Sequence, residues 1–314
     1  MLQIYRIHPG RLEPKDMEAI GTDAAEDYWL DLRDPTAADR RTIEQTRGLV
    51  LPAINDVREI QATSRFFVDA DGLHVRIWFL DDATGTLSRK PVAFVLSPHC
   101  LLSVTWGSVS CFETLRTAHS LGHHSAAPVA VLFRLLEMHL DRTADLLEAA
   151  YEEIERRWAS PTDTRQDLLE KQLNEICRLE GDRHKVHFAL MDLQQVLAGL
   201  EREDAVPEAE TGRFAAITRD LESLLAHSDF ISEKLDFLIG MLISRLNLVD
   251  NRVGKILSVV ALVFLPPTLI GSIYGMNFHY MPELAIPWAY PVALAAMLAS
   301  AIIPYLVFKW RRWL

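Results

Sequence analysis

Between Asn247 and Gly275 the chain carries small and polar residues at alternating steps of four and three. The series is Asn247, Asn251, Gly254, Ser258, Ala261, Leu265, Thr268, Ser272 and Gly275. A seven-residue repeat puts them on one seam of a helix, the edge that would face the axis of a left-handed bundle. The seam runs into Tyr274-Gly275-Met276-Asn277-Phe278, followed by His279 and by Met281-Pro282-Glu283-Leu284. Its amides and hydroxyls offer neutral oxygens, and no Asp or Glu lies on its apolar stretch. A bare divalent cation needs several strongly charged oxygen ligands, which this edge lacks. Neutral oxygens can instead hydrogen-bond to the water an ion keeps. Mg2+, which dehydrates reluctantly, fits such a lining. Leu257 and Leu265 are candidates for an apolar constriction that closes by dewetting. A second reading competes, because small residues at this spacing also make dry helix–helix contacts in membranes. The spacing by itself favours dry packing. The polarity of Asn251, Ser258, Thr268 and Ser272, and the polar loop at the end of the series, weigh toward a water-filled path.

The elements that would hold these residues can be read from charge and periodicity. No charged side chain occurs from Ile256 to Tyr274 or from Leu284 to Phe308. Each run meets the length of roughly 20 helical residues that a hydrocarbon core requires. Arg252 and Lys255 precede the first run, and Lys309, Arg311 and Arg312 follow the second. The link from Gly275 to Ile286 has no Lys or Arg. The positive-inside rule then puts both chain ends in the cytoplasm and the link outside. Pro266 and Pro267 free the carbonyls of Leu262 and Val263, as in an ordinary transmembrane kink. From Arg213 to Tyr274 no strong stop precedes Pro266. A single helix of about 60 residues is expected, roughly 90 Å long. A helix of that length is expected to pack against copies of itself.

Upstream the pattern is α/β. Strand-like runs occur at Gln3–Ile7, Tyr28–Leu32, Val92–Leu96 and Leu101–Val104. A hairpin is expected to join Arg65–Val68 to Leu73–Phe79 through Asp69-Ala70-Asp71-Gly72, with Asp-Gly supplying positive φ. A helix opens after Pro35, capped by Thr36 or Asp34. Amphipathic helix runs from about Pro128 to Ala205, with breaks at Ser160-Pro161-Thr162 and Val206-Pro207; Thr162 can cap the second part. The fold class expected is an α+β membrane protein. It has a cytoplasmic α/β domain (1–125), a helical region with a long stalk helix (126–250) and a transmembrane hairpin (251–314). The spans lie at about 254–274 and 286–308, joined by an external loop, 275–285.

Composition excludes several function classes. The formal net charge of -11 over 314 residues argues against a nucleic-acid partner. Cys100, Cys111 and Cys177 form neither a disulfide framework nor a CxxC pair. Met1–Ile7 lacks the apolar run of a secretory signal, so a cytoplasmic, reduced setting is expected for the bulk of the chain. There is no GxxxxGK[ST] loop, GxSxG elbow or HExxH motif. Neither enzyme chemistry, an ATP-driven pump nor a resident cofactor is expected. The pairs His184/His187 and His123-His124 lack a third ligand, and surface or structural roles are favoured for them.

Tyr274-Gly275-Met276-Asn277-Phe278 with Met281-Pro282-Glu283-Leu284 resembles the signature of the CorA family of magnesium and divalent-cation transporters. Phe264–Leu269 and the tail Lys309–Leu314 are similar as well, and the order of elements matches over the whole chain. The resemblance implies a funnel-shaped homopentamer in a bacterial inner membrane, with the first span lining the pore. It further implies that Gly275, Met276 and Asn277 form the outer selectivity ring. There the Asn277 amide oxygens would accept hydrogen bonds from the first-shell waters of Mg2+, while Gly275 frees the backbone to turn. Asn251, Leu257 and Thr268 match pore positions of the family. Many relatives carry an acid where this chain has His279, which leaves Glu283 as the loop carboxylate. The family is thought to sense cytoplasmic Mg2+ through carboxylates between subunits. Asp229, Asp236 and Asp250 on the long helix are candidates for that role, although a solvated face is the favoured reading.

Three functions therefore stand. The first is a passive channel for hydrated Mg2+, with Co2+ or Ni2+. The second is a Zn2+ transporter of the ZntB type, with or without proton coupling, which His279 keeps open because imidazole suits Zn2+, Ni2+ and Co2+. The third is a membrane-anchored sensor or scaffold with a dry bundle.

Overall fold

Tyr28-Trp29-Leu30-Asp31-Leu32 is buried on both faces, the mark of a central strand between two helical layers. The computed structural model describes residues 2–15, 26–54, 65–83, 85–121, 127–159, 165–276, 279, 281–282 and 286–311. Its strands are β1 (Leu2–His8), β2 (Arg11–Lys15), β3 (Tyr28–Arg33), β4 (Phe66–Asp69), β5 (Gly72–Asp81), β6 (Ser88–Ser97) and β7 (Cys100–Thr105). They form one sheet in the order β2-β1-β3-β7-β6-β5-β4. β3 and β7 are parallel and the other pairings antiparallel.

Side chains alternate across the sheet. Tyr28, Leu30 and Leu32 pack with Val95, Leu102 and Val104 against Ile43 of α1 (Ala37–Arg47). On the other face Trp29, Phe79 and Phe94 meet Phe112 of α2 (Ser110–Ala118). Below them runs α3 (Pro128–Ala159), whose Phe133, Leu135 and Leu136 are fully buried. The chain continues through α4 (Gln166–Arg202), a 3-10 turn (Glu208–Glu210), α5 (Thr211–Tyr274) and α6 (Ala289–Trp310). The described residues divide into two units, 1–161 with 175–237 and 162–174 with 238–314.

Several local expectations are corrected. In the hairpin Asp69 pairs with Gly72, which leaves Ala70-Asp71 as the loop, and only Gly72 has positive φ, at 134°. A Cβ there would lie 2.3 Å from the Leu96 carbonyl oxygen, so close approach demands glycine as much as the dihedral does. Thr36 is the cap of α1: its hydroxyl accepts from Asp39 N–H while the Asp39 carboxylate accepts from Thr36 N–H. Asp34 instead accepts from Gly107 N–H. The edge strand β2 and helix α2 had no clear sequence signal. Pro14 masks β2, because proline is tolerated only where no ladder bond is needed. The expected cap Thr162 lies outside the described residues.

Candidate functional site

The helix that carries the seam is unbroken over 64 residues, Thr211–Tyr274, with Pro266 and Pro267 inside it. Within the second unit every seam residue from Asn247 to Ser272 is exposed, including Asn251, Gly254, Ser258, Ala261, Leu265 and Thr268, as is Leu257. The flanks are exposed too: Ile256, Val260, Leu262, Phe264 and Leu269 are open on the single chain. α6 buries no residue at all. An apolar surface this continuous needs lipid or other copies of the chain to cover it. Both helices are long and apolar enough to cross a membrane. Trp288 and Tyr290 at one end of α6 and Trp310 at the other are exposed, as in interfacial aromatic belts. The two helices approach closely at Gly271, where an added Cβ would stand 3.6 Å from the Met297 methyl.

Unbroken helical register extends the seam beyond the residues singled out from sequence. Stepping back by seven from Asn247 and Asn251 gives Gly240 and Ser244, again small or polar. Near the basic flank a hollow of about 640 Å³ is lined by Asp250, Asn251, Gly254, Lys255, Ser258, Val259 and Phe308. It places polar groups of the seam beside one carboxylate and one ammonium.

At the far end, Gly275 N–H bonds to Gly271 O at 3.0 Å and Met276 N–H to Ile273 O at 3.3 Å, so the last turn of helix continues into the loop. Gly275 does not take a left-handed φ. An added Cβ would stand 3.2 Å from the Gly271 carbonyl oxygen, a neighbour set by the helical turn that Gly275 continues. Met276 and His279 are exposed. Asn277 and Glu283 lie outside the described residues.

Asp229, Asp236 and Asp250 are all exposed. Asp229 lies 3.7 Å from the His187 ring, and none of the three joins a cluster of metal-ligand atoms among the described residues. Carboxylates converge elsewhere. Asp141 and Glu148 of α3 and Asp220 of α5 line a groove of about 780 Å³ floored by Leu140, Leu147 and Ile231. Burial raises the Asp141 pKa; Arg134 opposes that, and Glu137, Asp145 and Asp220 add to it. Sequence reading missed this groove because Asp220 lies more than 70 residues from Asp141 and Glu148 in sequence. His184 and His187 do not share a site. His184 contacts Glu180 at 3.2 Å, and His187 contacts Ser228 Oγ at 3.2 Å. His123 and His124 lie outside the described residues. At the hairpin tip Asp69, Asp71 and His74 bring ligand atoms within 4.8 Å of one another. Each already fastens the turn: the His74 ring bonds Asp69 at 2.9 Å and stacks on Phe67, and Asp71 accepts from Val50 N–H.

One buried titratable group gives a pH signature. His139 of α3 is 1 % exposed, with its ring 4.3 Å from that of Phe79. Burial pushes its pKa down to about 4. The unfolded chain therefore takes up the proton first as pH falls below ~6.5. Stability is full above that pH and declines until about pH 4, by roughly 3 kcal/mol at ~1.4 kcal/mol per pKa unit. Thermal unfolding of His139→Leu between pH 7.5 and 4 is expected to show a correspondingly flatter pH dependence than the parent chain.

Residues 25–311 match the family described as CorA-like Mg2+ transporter protein. The chain is 32% identical over 317 residues to the magnesium transport protein CorA of Yersinia pseudotuberculosis, covering 100% of both chains. Its fold is that of the CorA magnesium transporter from Methanocaldococcus jannaschii, with TM-score 0.73 at 19% identity, covering 98% of this chain and 97% of that one. The ZntB cytoplasmic domain from Vibrio parahaemolyticus is similar over 81% of this chain and 98% of its own, with TM-score 0.53 at 11% identity. A family match across nearly the entire sequence, on a chain with an α/β domain, one long helix and two apolar helices, identifies it: the chain belongs to the CorA-like Mg2+ transporter family.

Proposed function

We propose that the chain is a subunit of a passive channel for hydrated divalent cations, Mg2+ foremost, with Co2+ and Ni2+ as lesser substrates. The observation that carries this reading is the exposed, uncharged, polar seam that runs the length of the first apolar helix. Copies of α5 meet around an axis as a homopentamer, with Asn251, Gly254, Leu257, Ser258, Ala261, Leu265, Thr268 and Ser272 along the water path. Gly275, Met276 and Asn277 form the outer selectivity ring, and His279 and Glu283 stand at the mouth. Residues 1–125 form the cytoplasmic α/β domain and 126–250 the helical region and stalk. The hairpin 251–314 spans a bacterial inner membrane with both termini in the cytoplasm. An inside-negative potential suffices as the drive: at 100 mV a divalent cation gains about 4.6 kcal/mol, twice the single-charge value. Regulatory Mg2+ is expected where carboxylates repel one another. Asp229, Asp236 and Asp250, exposed on α5, are the candidates, with a neighbouring copy supplying the further carboxylates.

His279 favours a second reading, a Zn2+ transporter of the ZntB type coupled to protons, since imidazoles suit Zn2+. Reconstitution into liposomes separates the two. The channel predicts Mg2+ influx that follows membrane potential and ignores a pH gradient. Zn2+ influx that outpaces Mg2+ and rises with an imposed proton gradient would replace it with the second reading. Liposomes impermeable to both metals would leave only a dry scaffold.

A further inference from the structure

Three hydroxyls on the seam have already committed their hydrogens. Ser244 Oγ donates to Gly240 O at 2.8 Å, Ser258 Oγ to Gly254 O at 2.8 Å, and Thr268 Oγ1 to Phe264 O at 2.6 Å. A carbonyl oxygen only accepts, so the direction of each bond is settled without seeing a hydrogen. Each hydroxyl spends its one donor on its own helix and turns its remaining lone pairs outward. All three side chains are exposed. Ser244 and Ser258 share one position of the seven-residue repeat and Thr268 occupies the other, so together they cover roughly 36 Å of seam at 1.5 Å per residue. The same back-bond occurs away from the seam, at Thr42 and Thr218, where it is simply a helical habit of Ser and Thr. Along a water path the habit has a consequence.

We infer that Ser244, Ser258 and Thr268 set the polarity of the path: held as acceptors only, they select hydrated cations over hydrated anions without a fixed charge. The inference rests on the channel reading. Water bound to a cation points its oxygen inward and its hydrogens outward, so the shell seeks acceptors. Water bound to an anion points its hydrogens inward and presents oxygen, so that shell seeks donors, which these three levels do not supply. A carboxylate would also attract the cation but would hold it more strongly and slow its exit. Neutral acceptors at successive levels stabilise the shell without trapping the ion.

The test uses the full chain in liposomes, reading Mg2+ influx with a Mg2+-sensitive dye and the Mg2+-to-Cl- permeability ratio from reversal potentials. Thr268→Val and Ser258→Ala remove the acceptor while keeping a helix-compatible side chain. Each is expected to lower Mg2+ influx about tenfold, equivalent to ~1.4 kcal/mol, and to shift the permeability ratio toward Cl-. Thr268→Ser and Ser258→Thr keep the back-bond and are expected to stay within about twofold of the parent. Wild-type influx and an unchanged ratio in the valine and alanine variants would overturn the inference. So would an equal loss in Thr268→Ser, which would make side-chain size the cause. Asn277→Ala is the control. If it abolishes influx while the hydroxyl variants do not, the polarity inference alone fails; if the parent chain passes no Mg2+, the channel reading fails and takes the inference with it.

Discussion

Asn277→Ala is expected to cut Mg2+ influx by at least about tenfold while leaving the oligomer intact on size-exclusion chromatography. In the proposed ring the side chain lost is a neutral amide whose oxygen would accept from water in the ion's first shell, one such group from each subunit. A hydrogen bond strengthened by a nearby charge is worth roughly 1.5–3 kcal/mol, and ~1.4 kcal/mol is a factor of ten. The ring therefore has ample leverage on entry even if the loss of one group is partly compensated by water. Alanine removes the acceptor without adding charge or bulk. The oligomer should persist, because the apolar surface left open on α5 and α6 lies along the helices and is untouched by the substitution. Asn277→Asp makes the complementary prediction. A carboxylate is a stronger acceptor, so ion binding should tighten, while release slows and transport per unit time falls. Undiminished Mg2+ influx in the alanine variant would remove Asn277 from the selectivity ring and with it the main support for the pore path.

Arg116→Met is expected to destabilise the α/β part of the chain by about 3–5 kcal/mol, the usual cost of stripping one partner from a buried ion pair. Asp31 of β3 is 1 % exposed and its Oδ2 lies 2.9 Å from Arg116 Nε on α2. Arg116 Nε is not aimed at the carboxylate as a hydrogen bond, so the contact is one of charge. The other carboxylate oxygen accepts from Ser103 Oγ at 2.8 Å, and Ser103 in turn accepts from Trp29 Nε1 at 2.9 Å. Burial raises the Asp31 pKa, and the Arg116 guanidinium and the Ser103 hydroxyl pull it back. A raised carboxyl pKa means that the folded chain holds the proton more tightly than the unfolded one. Stability from this group therefore falls as pH rises from the unfolded value through the folded one. Without Arg116 that penalty grows, because a buried carboxylate would face no countercharge. Asp31→Asn should cost less, since Arg116 keeps Glu113 at 3.3 Å. Asp31→Asn should also recover part of the loss in the Arg116→Met background. Thermal unfolding of the four chains in detergent checks the cycle, and simple additivity of the two substitutions would show that the ions do not stabilise each other.

How much of this was legible beforehand depends on the distance over which each cause acts. The two apolar helices, the long helix across Pro266-Pro267 and the polar seam follow from composition and a seven-residue period, which are local properties of a chain segment. The strands of β3, β5, β6 and β7 were equally visible, because alternation and β-branched runs act over a few residues. β2 was not visible: a short edge strand with Pro14 carries too little pattern to distinguish it from a loop. The capping choice between Asp34 and Thr36 also needed coordinates, since either residue suits a cap and only the direction of the chain decides which carboxylate closes the box.

By itself the sequence determined what the membrane segments are and which residue types their inner edge offers, because a bilayer imposes one requirement, an internally bonded apolar helix of sufficient length. Tertiary structure alone decided the rest. It brought Asp31 to Arg116 across the sheet and gathered Asp141 and Asp220 in one groove. It also showed that Ser244, Ser258 and Thr268 each donate back to their own helix. Contacts between residues far apart in sequence, and the orientation of a single bond, leave no period in the sequence to be read.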